Sequence, residues 1–173
     1  WPAGDKIWPD KLALIERKFA EIAATISRFE AVRINAPKTL HDPIHALLKK
    51  TEAKLDLIEL FPHSNNDVWC RDHGPIFVKN DETGEVALTD WEYNAWGNKY
   101  PPFKQDNQIP PRIGKALGKR RFVKRMVLEG GSIDVNGAGT LLTTESCLLN
   151  PNRNPTLSQA EIEDRLRGEL GVT

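Results

Sequence analysis

The chain has 173 residues, 39% hydrophobic and 28% charged, with 24 lysines and arginines balanced by 24 aspartates and glutamates. That length supports one domain with a core of its own, and the zero formal charge gives no electrostatic reason to invoke nucleic acid or an anionic membrane as a partner. No apolar run approaches the roughly 20 residues of a membrane-spanning helix. The two cysteines, Cys70 and Cys147, form no metal-type pair, so no metal or cofactor is expected and a reduced, cytoplasmic setting is the default.

In chain order, the first strong signal is a helix. Leu12, Ile15, Phe19, Ile22, Ile26 and Phe29 recur at steps of three and four, which puts them on one face, with Pro9 and Asp10 at the start. Val32 and Ile34 mark a short strand over residues 31–35, and Ile44, Leu47 and Leu48 a second helix from about Leu40 to the Lys49 region. The alternation Leu55-Asp56-Leu57-Ile58-Glu59-Leu60 reads as a strand.

A polar loop over residues 62–67 leads into Trp69-Cys70-Arg71-Asp72-His73-Gly74-Pro75. Beyond it, residues 76–79 and 86–91 read as a hairpin turned at 81–84. A loop with Pro101, Pro102, Pro110 and Pro111 precedes a short helix near Arg112 to Leu117, a strand over 121–128, and the loop Glu129-Gly130-Gly131. Asn136-Gly137 cues a further hairpin. The last element is a helix opened by a Ser158/Glu161 capping box and a Leu157/Ile162 staple, with Gly171 at its end.

Two of these loops repeat. Asp72, Gly74, Ile76 and Val78 recur 57 positions later as Glu129, Gly131, Ile133 and Val135, and Asn94 maps near Asn150. Each module reads helix, strand, acid-x-Gly loop, strand, turn, strand. Equivalent loops in a pseudo-symmetric ring converge on one axis, which would aim Asp72 and Glu129 at a shared centre. The final helix reads as the start of a third module. With no Met before Trp1-Pro2, the sequence reads as cut from a larger fold at both ends. Alone, such a chain is expected to expose apolar edges and to associate.

The acids suggest a ligand. Guanidinium is planar, permanently charged and a five-donor fork; a carboxylate meets it with paired charge-assisted bonds, and an aromatic face stacks on its plane. Trp69 and Asp72, three residues apart, read as such a clamp, with Glu129 arriving from the next module and Gly130 and Gly131 letting backbone come close to a ligand. Each residue also has a plainer reading. Asp72 suits an ion pair with Arg71, Trp69 suits a core, and Glu129-Gly130-Gly131 suits a turn. His73 suits a general base, but neighbouring residues on a strand face opposite ways. Cys70 and Cys147 read as small buried hydrophobes. His41, His45 and His63 share no metal spacing.

The motifs Asn66-Asp67-Val68-Trp69-Cys70-Arg71-Asp72-His73-Gly74-Pro75, Leu128-Glu129-Gly130-Gly131-Ser132 and the run from Gly139 to Pro155 resemble the agmatine deiminase and bacterial peptidylarginine deiminase family, as does Trp1-Pro2. The resemblance covers nearly the whole chain. It implies an α/β fold of the pentein type, a five-bladed α/β propeller, of which residues 1–173 would be the amino-terminal portion: about two blades and the start of a third. It also implies deimination of a small guanidinium substrate, agmatine or an arginine side chain, through a covalent cysteine intermediate. Agmatine is the favoured substrate, which places the reaction in polyamine metabolism, and a homodimer is expected of the full-length parent. Carried over by position, Asp72 and Glu129 would be the active-site acids, and Trp69, Asp67 and Arg71 would line the substrate pocket. The family's Gly-His-x-Asp motif and its late nucleophilic cysteine are absent here, so the chain alone is expected to be inactive. The rival reading is a non-catalytic binding module on the same scaffold.

Overall fold

The computed structural model describes residues 1, 2, 4 and 7–173 and divides them into two compact units, 1–68 and 69–173. No helix among the described residues is long and apolar enough to cross a membrane.

The first unit contains α1 (Leu12–Ile26), β1 (Val32–Asn35), α2 (His41–Leu48) and β2 (Ile58–Phe61). β1 and β2 are parallel, in register from Val32 opposite Ile58 to Asn35 opposite Phe61. Parallel neighbours need a crossover, and α2 lies in that connection. Strand β2 starts later than its leucine alternation predicts, because Leu55–Leu57 forms a 3₁₀ turn. The ladder begins at Val32, so residues before Ile58 have no partner strand to extend against.

Helix α1 is where expected, but it turns a different face inward. Ala20, Ala23, Ala24 and the following Ser27 are buried, whereas Ile22, Ile26 and Phe29 are 53%, 38% and 84% exposed. Alanines let the helix backbone come close to the core of Trp1, Ile34, Ala36, Ile44 and Leu48, and this close approach decides the orientation over the larger side chains.

The second unit opens with the one-turn helix α3 (Cys70–His73). Strands β3 (Ile76–Lys79) and β4 (Val86–Glu92) then form the expected hairpin, whose turn is held by the Asn80 side chain accepting from the backbone N–H groups of Glu82 and Thr83. After the single turn α4 (Ala95–Asn98), helix α5 (Ile109–Ala116) carries the chain to β5 (Arg121–Val127), which lies parallel to β4. Pro110 and Pro111, expected in a loop, occupy the first turn of α5, where the missing N–H groups would have no intrahelical partner. As the central strand of the order β3-β4-β5, β4 is buried from Ala87 to Trp91.

Strands β6 (Ile133–Val135) and β7 (Leu141–Thr143) make the second hairpin. The Asn136 side chain organises its loop by accepting from the N–H groups of Ala138 and Thr140. The one-turn α6 (Glu145–Leu148) and α7 (Gln159–Leu170) complete the unit. The capping box at Ser158 and Glu161 is present in both directions, and Gly171 ends the helix in the left-handed conformation. Ile162 and Leu166 of α7 pack with Trp91, Met126, Leu128 and Ile133 in the core.

The module order expected from the repeat is observed from α2 to β4 and again from α5 to β7. At its far end Asn94 and Asn150 each open a turn: their carbonyls accept from Asn98 and Asn154, and their side chains accept from the N–H groups of Gly97 and Asn152.

Candidate active site

Asp72 stands on a helical turn and not on an extended segment. The Trp69 carbonyl accepts from the N–H groups of Asp72 (2.9 Å) and His73 (3.2 Å), and the Cys70 carbonyl accepts from Gly74 (2.8 Å). Any side chain at 74 would overlap that carbonyl, which is why the turn closes on glycine. Helical spacing separates neighbouring side chains by about 100°, so Asp72 and His73 diverge. His73 is buried, with Nε2 3.9 Å from Asp106 and its ring edge-on to Tyr93 at 5.7 Å. Asp72 is half-buried. The same turn puts Cys70 outward: it is exposed, not the buried hydrophobe expected, and Cys147 is half-buried.

The two acid-glycine loops meet. The Asp72 carboxylate lies against the Gly131 backbone. A Cβ on Gly131 would overlap the Asp72 carboxylate, and one on Gly130 would overlap the Arg71 carbonyl. The close approach these glycines permit is therefore between the two loops of the protein, whereas the sequence suggested an approach to ligand. Burial pushes the Asp72 carboxyl above its ordinary value, outweighing the Gly131 backbone, the Trp96 side chain and the nearby charges of His73 and Arg71, all of which pull it down.

Glu129, two residues before Gly131, is 2% exposed and its carboxylate is already engaged by a guanidinium of this chain. Arg153 Nε donates to Oε1 at 2.8 Å and Oε2 at 3.1 Å. Charge-assisted bonding of this kind is what keeps a buried carboxylate compatible with an apolar surround.

Trp69 is 50% exposed, so it is not a core residue; its ring meets Trp96 edge-to-face at 6.5 Å. Trp96 also contacts Tyr93 at 5.6 Å and Tyr100 at 5.8 Å. Arg71 is exposed and its Nη2 lies 3.5 Å from the Ile133 carbonyl. Asp67 belongs to the first unit, where its carboxylate accepts the Val68 N–H at 2.7 Å and its carbonyl accepts from Asn65 at 2.9 Å.

Trp96 and Arg153 are the two residues that reading the acids alone does not find. The available signals were weak: Asn94 three residues before Gly97, a common side-chain-capped turn, and an arginine set among asparagines and prolines at 150–155.

A half-buried acid and an exposed indole have the chemistry that a flat cation calls for. A family model for the Porphyromonas-type peptidyl-arginine deiminases matches residues 1–173, and the chain belongs to that family. It is 41% identical over 177 aligned positions to the agmatine deiminase of Pseudomonas aeruginosa (strain LESB58), covering 99% of this chain and 46% of that protein. The corresponding enzyme of Stutzerimonas stutzeri (strain A1501) is 40% identical, with the same coverage of 99% and 46%. Among solved structures, the agmatine deiminase of Enterococcus faecalis superposes with a TM-score of 0.91 at 36% identity, over 100% of this chain and 47% of that one. A C. jejuni agmatine deiminase with substrate bound gives 0.86 at 32% identity, over 99% and 49%. The chain thus spans about half the length of the relatives it matches, and its mixed α/β architecture is that of the pentein deiminases.

Proposed function

We propose that this chain supplies the guanidinium-binding acids of an agmatine deiminase. The observation that carries the reading is the junction of the Asp72 and Glu129 loops, where a half-buried carboxylate stands on the helical turn that follows the exposed Trp69. Asp72 takes the substrate guanidinium in a charge-assisted pair, Trp69 and Arg71 border it, and Glu129 acts from the second loop. The modules that carry Asp72 and Glu129 are successive blades of a five-bladed propeller. A cysteine thiolate attacks the guanidinium carbon; ammonia departs, leaving an amidino-thioether; water then releases the thiol and the ureido product, N-carbamoylputrescine. The nucleophile and the proton-shuttling histidine lie outside residues 1–173 on this reading.

The test is ammonia release by the full-length gene product supplied with agmatine or with a peptide containing arginine. Turnover of agmatine, lost in Asp72→Asn, supports the proposal. Turnover of the peptide alone moves the substrate to arginine side chains, and turnover of neither leaves a binding module on the same scaffold.

A further inference from the structure

The Glu129 carboxylate is held by a residue from a different loop. Arg153 Nε donates to both of its oxygens, at 2.8 and 3.1 Å, and the two side chains are 11% and 2% exposed. We infer that Arg153 is a positioning residue, which fixes where Glu129 stands for the proposed reaction, and that the α4 turn walls its guanidinium in place. The inference deepens the proposed function and rests on it for its catalytic consequence.

One N–H shared between two oxygens takes one acceptor site on each and leaves each a second. Glu129 is thereby located while keeping the capacity to accept from a further donor. Balancing its charge would not need such an arrangement. A lysine ammonium is a point charge on a flexible stem; it neutralises a carboxylate without the directed, planar fork of an arginine.

The loop that delivers Arg153 is folded on itself and tied down. The Asn150 carbonyl accepts from the N–H groups of Arg153 at 2.9 Å and Asn154 at 3.2 Å, and the Asn150 side chain accepts from Asn152 at 2.9 Å. Buried Asn154 fastens the loop to β5 by accepting the Val127 N–H and donating to the Val127 carbonyl. A positioning group set on such a base keeps its geometry.

The α4 turn closes over this loop. Gly97 has a φ of 78°, and a Cβ on it would stand 3.0 Å from the Asn152 Cβ and 3.5 Å from Arg153 Nη1. Bare backbone therefore lies against the guanidinium. Ala95, Trp96 and Asn98 also have positive φ, a conformation that persists only where the surroundings fix it. Asn94 does so from both ends. Its side chain accepts the Gly97 N–H at 2.9 Å, its carbonyl accepts from Asn98 at 2.6 Å, and its amide donates to the Asn152 carbonyl at 2.9 Å. The turn is thus bonded to the residue before Arg153 and packed against Arg153 itself.

The experiment uses the full-length gene product and three variants. Arg153→Met removes both charge and grip, Arg153→Lys restores the charge alone, and Asn94→Ser keeps a cap for Gly97 while removing the donor to Asn152. Arg153→Met should melt well below wild type, and Arg153→Lys should recover most of that difference. The kcat/KM of the lysine variant for agmatine should nonetheless stay about 10- to 100-fold low, the scale of a displaced catalytic group, with the loss in kcat and not in KM. A lysine variant that regains wild-type kcat/KM along with its stability reduces Arg153 to a counter-charge and overturns the inference. Asn94→Ser leaves Arg153 and Glu129 intact, so its kcat/KM, also expected to fall, reports on position even where both Arg153 variants fold poorly.

A readout that does not need turnover is the exchange of the Arg153 Nε–H with water, followed by nitrogen–proton NMR. It should be slow in wild type and about 10-fold faster in Asn94→Ser, the scale of one weakened hydrogen bond. Fast exchange in wild type overturns the grip on Glu129, and an unchanged rate in Asn94→Ser overturns the part given to α4. Slow exchange that Asn94→Ser quickens, in a protein that releases no ammonia from agmatine, leaves the positioning intact and sinks the proposed function instead.

Discussion

The Asp72 carboxylate lies against the Gly131 backbone, where two loops meet whose glycines and acids repeat in the sequence. Gly131 has ordinary backbone angles, so its requirement for glycine comes from Asp72 and not from the backbone. Gly131→Ala should therefore fold but displace the Asp72 side chain, costing about 1–3 kcal/mol as an overpacked contact and lowering guanidinium affinity. The Asp72→Ala/Gly131→Ala pair should be less destabilised than the two single changes added together, since the first removes the atoms the second collides with. Denaturant titrations of the three variants check this, and full additivity would mean that the two residues do not share a contact.

Asp72 should also oppose stability to function. Its folded carboxyl titrates above the ordinary value because burial disfavours the charge. For an acid raised in this way the folded state binds more protons than the unfolded state, so stability falls as pH rises from the ordinary carboxylate range through the raised value. At neutral pH the ionised group is a net cost. Asp72→Asn keeps the shape of the group and removes that cost. The variant should melt at the same temperature as wild type or higher near pH 7, with the difference vanishing below about pH 4, while turnover falls by orders of magnitude. A variant that melts lower at neutral pH would mean the charge is stabilising where it sits.

Most of the secondary structure was legible because it was carried by local chemistry. Ser158 and Glu161 satisfy each other's backbone groups whatever lies around them, and the Ser158 cap is present as read. Asn80 and Asn136 likewise close their own hairpins. What was misread depended on packing. The choice between Ile22 and Ala23 as the inward residue of α1 is made by how close the neighbouring elements come. The helical turn at Cys70–His73 was read through strand alternation, so Cys70 was turned the wrong way. The correspondence of the Asp72 and Glu129 loops was visible as a repeat, but the residue that holds Glu129 was not. Arg153 lies 24 positions beyond Glu129, and no spacing rule links a side chain to a contact made by loops.

Asn154 tests how firmly the second loop is anchored. Its amide completes the end of β5 by accepting from and donating to Val127, each at 3.0 Å, and reaches the Leu148 carbonyl at 3.2 Å. Asn154→Ala would leave buried backbone groups without partners, each costing about 1–3 kcal/mol, so a loss of about 2–4 kcal/mol is expected for the side chain as a whole. Asn154→Asp should be nearly as harmful, because a carboxylate cannot donate to the two carbonyls. Thermal melts and hydrogen exchange at Val127 are the measurements. Wild-type protection at Val127 in the alanine variant would show that the loop is held by something else.

Glu129 and Arg153 form a buried pair whose two members should not be separable. Glu129→Gln keeps the shape but strands the Arg153 guanidinium, which is only 11% exposed. Removing one partner of a buried pair typically costs about 3–5 kcal/mol, whereas replacing both by uncharged groups of similar volume is often neutral. Glu129→Gln should thus be strongly destabilised, and Glu129→Gln/Arg153→Met should recover most of the loss. Activity should follow the other course. If Glu129 acts on the substrate, the stable double variant remains inactive toward agmatine, which separates a missing catalytic charge from a damaged fold. A double variant that is both stable and active would leave Glu129 with a purely structural part and Asp72 as the acid that meets the guanidinium.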